Sequence, residues 1–372
     1  MLTSSSDGAH VVGKPWGLGR RFAASAVAFL GIGALIFLVA GVNTEGRLSG
    51  AGSTFVNPIL QRVSTAYQGY LAADRVDPTR QEGASGDWTA GATALDYDPV
   101  GSVGGLTRLS DPAVGFAATE VPLTPAEMEA KGLIQFPLIL GAAAPVANLD
   151  LGGRELTLDA EVLAAIYGGT VTNWSDPAIA ALNPGLALPD SPIAVRHRSD
   201  GSGTTWTFTG YLAQAPGWTA GRSAQVAWPV GEGAKGSRGI IEAVKATPGA
   251  IGYSEAGQAR AAGLTVAQLV NGAGETLEAS PETVRAASIV TGWEPGRETA
   301  PASLDQGWPM TALVYVAMRA DAPEAERTLA FFRYFYAEAA RQAEALGYVP
   351  LPPEVVTKIE AYWTSVYNDK QS

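Results

Sequence analysis

Residues 198–205 read Arg-Ser-Asp-Gly-Ser-Gly-Thr-Thr, a run with the parts of an anion site. Gly201 and Gly203 let the backbone turn sharply and approach a ligand closely. Ser202, Thr204 and the N–H groups of a following first helical turn aim donors at one point, and a helix N-terminus carries positive partial charge. Arg198 adds a planar fork matched to phosphate or carboxylate oxygens, and Asp200 can hold that fork in place. The bland alternative for these residues is an Asx-type turn and helix cap with no ligand. Two further Gly/Ser/Thr stretches, residues 50–55 and 101–106, lie ahead of expected helices. Each alone is an ordinary loop-to-helix junction, but three in one chain supply many outward donors. Glu120, just after an expected strand, supplies one acceptor. Many donors with one carboxylate suit an oxyanion that still carries a proton, because the carboxylate can accept that proton's hydrogen bond.

Composition removes much competing chemistry. The chain has 372 residues, no cysteine and two histidines, His10 and His197. Disulfides, thiolate metal sites and cysteine nucleophiles are therefore excluded, as is a multi-histidine metal site. No cofactor is expected. The net charge of −11 lacks the basic excess of a nucleic-acid binder. The length exceeds one ordinary core and points to two domains, and 47% hydrophobic residues can fill them.

The elements that must position these residues follow a targeting segment. Residues 23–42 carry no charge and follow Lys14, Arg20 and Arg21. As a helix they reach about 30 Å, the thickness of a hydrocarbon core, with the basic side retained in the cytoplasm and the remainder exported. The run is longer than the roughly 7–15 apolar residues of a cleaved signal, which favours an anchor, while Leu38-Val39-Ala40 offers a cleavage site; both readings stay open. Residues 1–46 are assigned to this leader.

Beyond it, strands are expected over 113–118, 136–148, 193–196 and 308–318, and helices over 58–70, 124–131, 160–167, 205–213, 239–246 and 323–346. This alternation points to an α/β architecture with largely parallel sheets. Without a low-complexity linker, two domains require a chain that crosses between them more than once.

Several stretches together resemble the periplasmic phosphate-binding proteins of ABC-type phosphate importers. They are SGAGSTFVNPIL (49–60), GSVGGL (101–106), VGFAATEVPLT (114–124), RSDGSGTTWTFTGYLA (198–213), AWPVGEGAKGSRGI (227–240), PGAIGYSEA (248–256) and GWPMT (307–311). The resemblance implies an α/β, two-domain periplasmic-binding-protein fold of type II-like form, with two hinge crossings and an N-terminal hydrophobic helix ahead of it. The first domain is expected over 47–138 plus 312–372 and the second over 139–311, with hinges near Leu138–Ile139 and Thr311–Ala312. It implies that Thr54, Phe55 and Ser102 donate to phosphate from one wall, and Arg198, Ser202, Gly203 and Thr204 from the other. Glu120 then accepts from the protonated phosphate oxygen, and Asp200 restrains Arg198. The implied protein is a monomer outside the cytoplasm, tied to the membrane if the leader is uncut, that hands inorganic phosphate to an ABC permease.

Two departures from the family's pattern matter. Glu120 stands where the family carries Asp, and Val103 stands where a second serine is usual. About twenty residues, roughly 70–89, look inserted as a surface loop. Residues 231–236 also fit G-x-G-x-x-G with Glu255 downstream, the sketch of a dinucleotide site, but Pro229 interrupts the preceding strand. An enzyme reading would pair Ser202 with His197. On a strand, however, His197 points away from its neighbour Arg198, which leaves the serine without a base. An anchored sensor or interaction protein of the same fold is the other alternative.

Overall fold

Val56, Ile59, Leu60, Val63 and Tyr67 fall three and four residues apart, so one face of a helix collects them. That helix, α1 (Asn57–Val76), buries Ile59, Leu60, Val63 and Tyr67, and Val56 is buried just ahead of it. It belongs to a computed structural model that describes residues 48–76, 95–287, 290–297, 304–322 and 325–368. The leader 23–42 and most of the expected insertion lie outside the described residues, although residues 70–76 continue α1. No helix among the described residues is long and apolar enough to cross a membrane.

In chain order the strands are β1 (Leu48–Gly52), β2 (Leu95–Asp98), β3 (Phe116–Thr119), β4 (Leu133–Ala147), β5 (Thr157–Leu158), β6 (Ala194–Arg198), β7 (Glu232–Ala234), β8 (Ala250–Glu255), β9 (Thr265–Val266), β10 (Gln268–Val270), β11 (Thr276–Leu277), β12 (Thr311–Arg319) and β13 (Tyr348–Val349). After α1 the helices are α2 (Ser102–Arg108), α3 (Pro125–Lys131), α4 (Ala160–Gly168), α5 (Pro177–Leu182), α6 (Gly203–Leu212), α7 (Gly236–Ala246), α8 (Ala256–Ala261), α9 (Pro281–Ala287), α10 (Ala325–Gln342) and α11 (Pro353–Asn368).

The main sheet runs β2-β1-β3-β12-β4-β8-β6-β7, with β13 and β9 also paired to β4. Its two flanks, β2-β1-β3 and β8-β6-β7, are parallel. Its middle is antiparallel, because β12 and β4 run against their neighbours. The sheet is therefore mixed rather than largely parallel, since the two long strands that join its flanks run opposite ways. β4 is buried along its whole length. Its residues 133–142 pair with β12 and residues 143–147 with β8. The change of partner thus comes at Ala142–Ala143, four residues beyond the expected Leu138–Ile139 crossing, while Thr311–Ala312 opens β12.

Helices cover the sheet: α2 lies on β1 and β3, and α7 on β8 and β6. α10 brings Phe332 edge-on to Phe116 and Phe136, at ring separations of 4.9 Å and 5.7 Å. Burying one such ring contributes about 1.5–3 kcal/mol. Residues 101–106, expected as a loop before a helix, open α2 itself. The C-terminal α11 was not anticipated. It buries Trp363 against Phe136 at 4.9 Å.

Candidate anion-binding site

The first wall of the site is built at the C-terminal ends of β1 and β3 and the start of α2. β3 runs out at Thr119 and delivers Glu120, which is 4% exposed. Two hydroxyls hold its carboxylate. Ser102, the first residue of α2, donates to Oε2 at 2.6 Å, and Ser53, just after β1, donates to Oε1. Each hydroxyl itself accepts from a backbone amide: Gly203 N–H to Ser102 and Phe55 N–H to Ser53, both 3.1 Å. Burial pushes the Glu120 carboxyl above its ordinary value, while the Ser102 and Ser53 hydrogen bonds and the charge of Arg198 pull against it.

The second wall is the end of β6 and the loop into α6. Arg198 is 4% exposed. Its Nε donates to Asp200 Oδ1 at 2.7 Å, and a second guanidinium nitrogen pairs with Oδ2. Gly236 N–H, at the start of α7, adds a bond to Oδ1 at 3.0 Å. Burial raises the Asp200 carboxyl, but the bonds and charge of Arg198 and the Gly236 amide outweigh it and hold it below its ordinary value. Ser202 is the N-cap of α6. Its Oγ accepts Thr205 N–H at 3.1 Å, which leaves the hydroxyl its own proton to donate. Gly203 and Thr204 follow in the first turn, both buried.

The walls meet directly. Gly203 presses so closely on the first wall that a Cβ there would overlap Glu120 Oε2. Gly101 has φ +90°, and a Cβ on it would lie 2.5 Å from Asp200 Oδ2, so two reasons select glycine there. Thr54 Oγ1 lies 2.9 Å from Ser237 Oγ and accepts Ser237 N–H at 3.0 Å. The α7 N-terminus has no side-chain cap of its own; Asp200 and Thr54 serve it instead. Val103, in place of a serine, donates its N–H to Gly201 O at 3.2 Å and packs its side chain over Gly201.

Thr54, Phe55, Ser102, Glu120, Arg198, Asp200, Ser202, Gly203 and Thr204 therefore lie on two walls that touch, and hydrogen bonds tie most of them to neighbours across or beside the junction. The Phe55 side chain is core, edge-on to Tyr348 at 5.9 Å, so only its backbone faces the site. Sequence reasoning missed Ser53, Ser237 and Tyr253. Tyr253 accepts Arg198 N–H at 3.0 Å and lies 2.8 Å from Thr205 Oγ1. Ser53 had a signal, the hydroxyl beside Thr54. Ser237 had a weaker one, a Gly-Ser pair opening a helix. His197 turns away from the anion-facing side, and its ring stacks on Trp228 at 5.3 Å. Among the described residues no group of His, Cys, Asp or Glu is placed to hold a metal.

The model of the PBP superfamily domain matches residues 39–339. A phosphate-binding protein PstS from Xylella fastidiosa is 34% identical over 332 residues, 86% of each chain. Among solved structures, a high-affinity periplasmic phosphate-binding protein (PfluDING), bound with phosphate, superposes with a TM-score of 0.60 at 19% identity, covering 87% of this chain and 98% of its own. An ABC-type phosphate transport receptor from Vibrio cholerae superposes with a TM-score of 0.51 at 19% identity, over 82% of this chain and all of its own. The family model over residues 39–339 and the relative at 34% identity over 86% of the chain show that the chain belongs to the PBP superfamily and, within it, to the family of the PstS phosphate-binding proteins.

Proposed function

We propose that this protein is an extracytoplasmic receptor that captures inorganic phosphate between its two walls and delivers it to the permease of an ABC importer. It acts as a binding protein and not as an enzyme. The observation that carries the reading is the gathering of hydroxyls, amides and one guanidinium where the two walls meet at Glu120 and Gly203. Thr54, Phe55 and Ser102 line the ligand's place on the first wall, and Arg198, Ser202, Gly203 and Thr204 line it on the second. Asp200 keeps the Arg198 fork aimed, and Glu120 accepts from the ligand's protonated oxygen. Excluding water strengthens each charge-assisted bond.

The walls belong to two domains, residues 47–138 with 312–372 and residues 139–311, which close by a hinge. The change of partner along β4 at Ala142–Ala143 supports a pivot in this stretch. The Thr54–Ser237 and Val103–Gly201 contacts fit bonds that form on closing. Residues 23–42 direct export and, if uncut, tether the receptor to the membrane. Against catalysis, Ser202 Oγ is engaged as a helix cap and His197 is stacked on Trp228, so the serine has no base.

Isothermal titration of the full-length chain with phosphate, arsenate and sulfate tests this reading. Saturable phosphate binding is expected. Its absence would favour an interaction protein of the same fold, and turnover of a phosphomonoester would overturn the non-enzymatic assignment.

A further inference from the structure

We infer that Ser53 is a specificity-determining residue: its hydroxyl pins Glu120 as a pure hydrogen-bond acceptor, so that the site takes protonated oxyanions and rejects fully ionised ones. This deepens the phosphate reading and rests on it.

The inference follows from counting protons. A serine hydroxyl has one hydrogen to give. Ser53 Oγ already accepts Phe55 N–H at 3.1 Å, so its hydrogen is turned to Glu120 Oε1. Ser102 repeats the pattern from the other side: it accepts Gly203 N–H at 3.1 Å and donates to Oε2 at 2.6 Å. Two amide-polarised hydroxyls thus converge on one carboxylate, one per oxygen. Protonating Glu120 would force one of them to turn its hydrogen away into a buried space, with Ser53 and Ser102 each 1% exposed. The ionisable groups facing Glu120 from neighbouring elements are Arg198 at the end of β6, Tyr97 on β2 and Tyr348 on β13. Of these only Arg198 favours the charged form, and both its Nε and a terminal nitrogen are committed to Asp200. The hydroxyls therefore carry most of the hold against burial. Tyr97 in turn fixes the Ser53 backbone by donating to its carbonyl at 2.9 Å.

A carboxylate offers an incoming oxyanion only lone pairs. It binds a ligand oxygen that bears hydrogen and repels one that does not. Removing the Ser53 hydroxyl takes away one of the two hydroxyl donors, leaving Ser102 and a backbone amide. Burial then drives Glu120 to take up a proton, and the side chain becomes a donor that welcomes sulfate.

The test compares wild type, Ser53→Ala and Ser53→Thr as full-length chains, with phosphate and sulfate affinities measured across pH. In Ser53→Ala the preference for phosphate over sulfate should fall about tenfold at neutral pH, the loss of one hydrogen bond to a charged group. The pH at which selectivity sets in should move upward, and Ser53→Thr, which keeps the hydroxyl, should restore both. A second arm follows the carboxyl 13C signal of Glu120, assigned with Glu120→Gln. It should titrate at higher pH in Ser53→Ala than in wild type, and in wild type it should be ionised at pH 7. Unchanged selectivity in a folded Ser53→Ala protein would overturn the inference. So would a wild-type Glu120 that is protonated at pH 7, a result that needs no variant to fold. If wild type bound no phosphate, the functional reading would fail, while the 13C titration would still decide whether Ser53 holds Glu120.

Discussion

Each wall of the site buries a carboxylate, and the two are held in opposite ways. Asp200 sits in the fork of Arg198 and is drawn below its ordinary value. Glu120 is met by neutral hydroxyls and is pushed above its ordinary value by burial. The difference teaches what each is suited to do. A guanidinium that is already paired is fixed in direction, so it meets a ligand without first losing side-chain freedom. A carboxylate met by hydroxyl donors offers a ligand only lone pairs, and so can respond to whether the ligand brings a hydrogen. On the proposed reading, one wall supplies attraction and the other discrimination.

The sharpest way to break this contrast is to remove the guanidinium. Arg198→Ala should weaken phosphate binding by about 1.5–3 kcal/mol, read by calorimetry. It should also destabilise the fold by about 1–3 kcal/mol, because the partly buried Asp200 loses its guanidinium and keeps only the Gly236 amide. Adding Asp200→Asn should return part of that stability and none of the affinity. Equal stability of the single and double variants would mean that the pair is not a structural clamp.

A third buried carboxylate extends the series. Glu255, at the end of β8, caps α8 by accepting Gly257 and Gln258 N–H at 2.7 Å each, and no guanidinium is paired with it. Burial lifts it from 4.5 to about 7, against the pull of those amides and of Arg260. The folded state therefore binds the extra proton between these values. Its stabilising effect is full below 4.5 and is lost as pH rises toward about 7, an upper limit of about 3 kcal/mol. Glu255→Gln should flatten that part of the curve of unfolding free energy against pH. Glu120 has the same sign and will leave a residual slope; a curve unaltered by the substitution would show that Glu255 is ionised throughout.

Smaller effects separate the walls themselves. Gly203→Ala puts a methyl where Glu120 Oε2 lies, and should lower phosphate affinity about tenfold, the equivalent of one hydrogen bond lost. Thermal stability should fall as well, because Glu120 and the Ser102 hydroxyl must give way in a buried contact, an overpacking cost of about 1–3 kcal/mol. Glu120→Gln should have the mildest effect on phosphate itself, yet let sulfate compete. If sulfate still fails to displace phosphate, discrimination lies elsewhere than in this carboxylate.

Much of this site was legible before any coordinates. The run 198–205 declared itself because its parts are local: a strand end, two glycines and a capping serine act within one turn of chain. Arg198 and Asp200 are two residues apart, and their pairing could be read directly. Helix α3 was equally legible, since Thr124 and Glu127 form a capping box within four residues. The exchange between residues far apart in sequence was not. Ser53 and Glu120 are 67 residues apart, and Thr54 and Ser237 are 183 apart. Ser237 opens a helix whose own N-cap residue, Lys235, makes no side-chain cap bond, so the Gly-Ser pair there was only a weak local mark. The glycines of GSVGGL disfavour helix, and tertiary packing of α2 on β1 and β3 overrides that preference.

By itself the sequence determined the chemical inventory: no thiols, a single histidine beyond the leader, an acidic surface, and three hydroxyl-rich turns with one arginine to bind an anion. It also determined the alternation of strands and helices, because hydrophobic spacing and capping act over a few residues. Only the tertiary structure decided which turns face each other, that the central strands run antiparallel, and which hydroxyls reach Glu120. Those outcomes depend on burial and on contacts between distant segments, where removing water raises the worth of a hydrogen bond and the cost of lacking one.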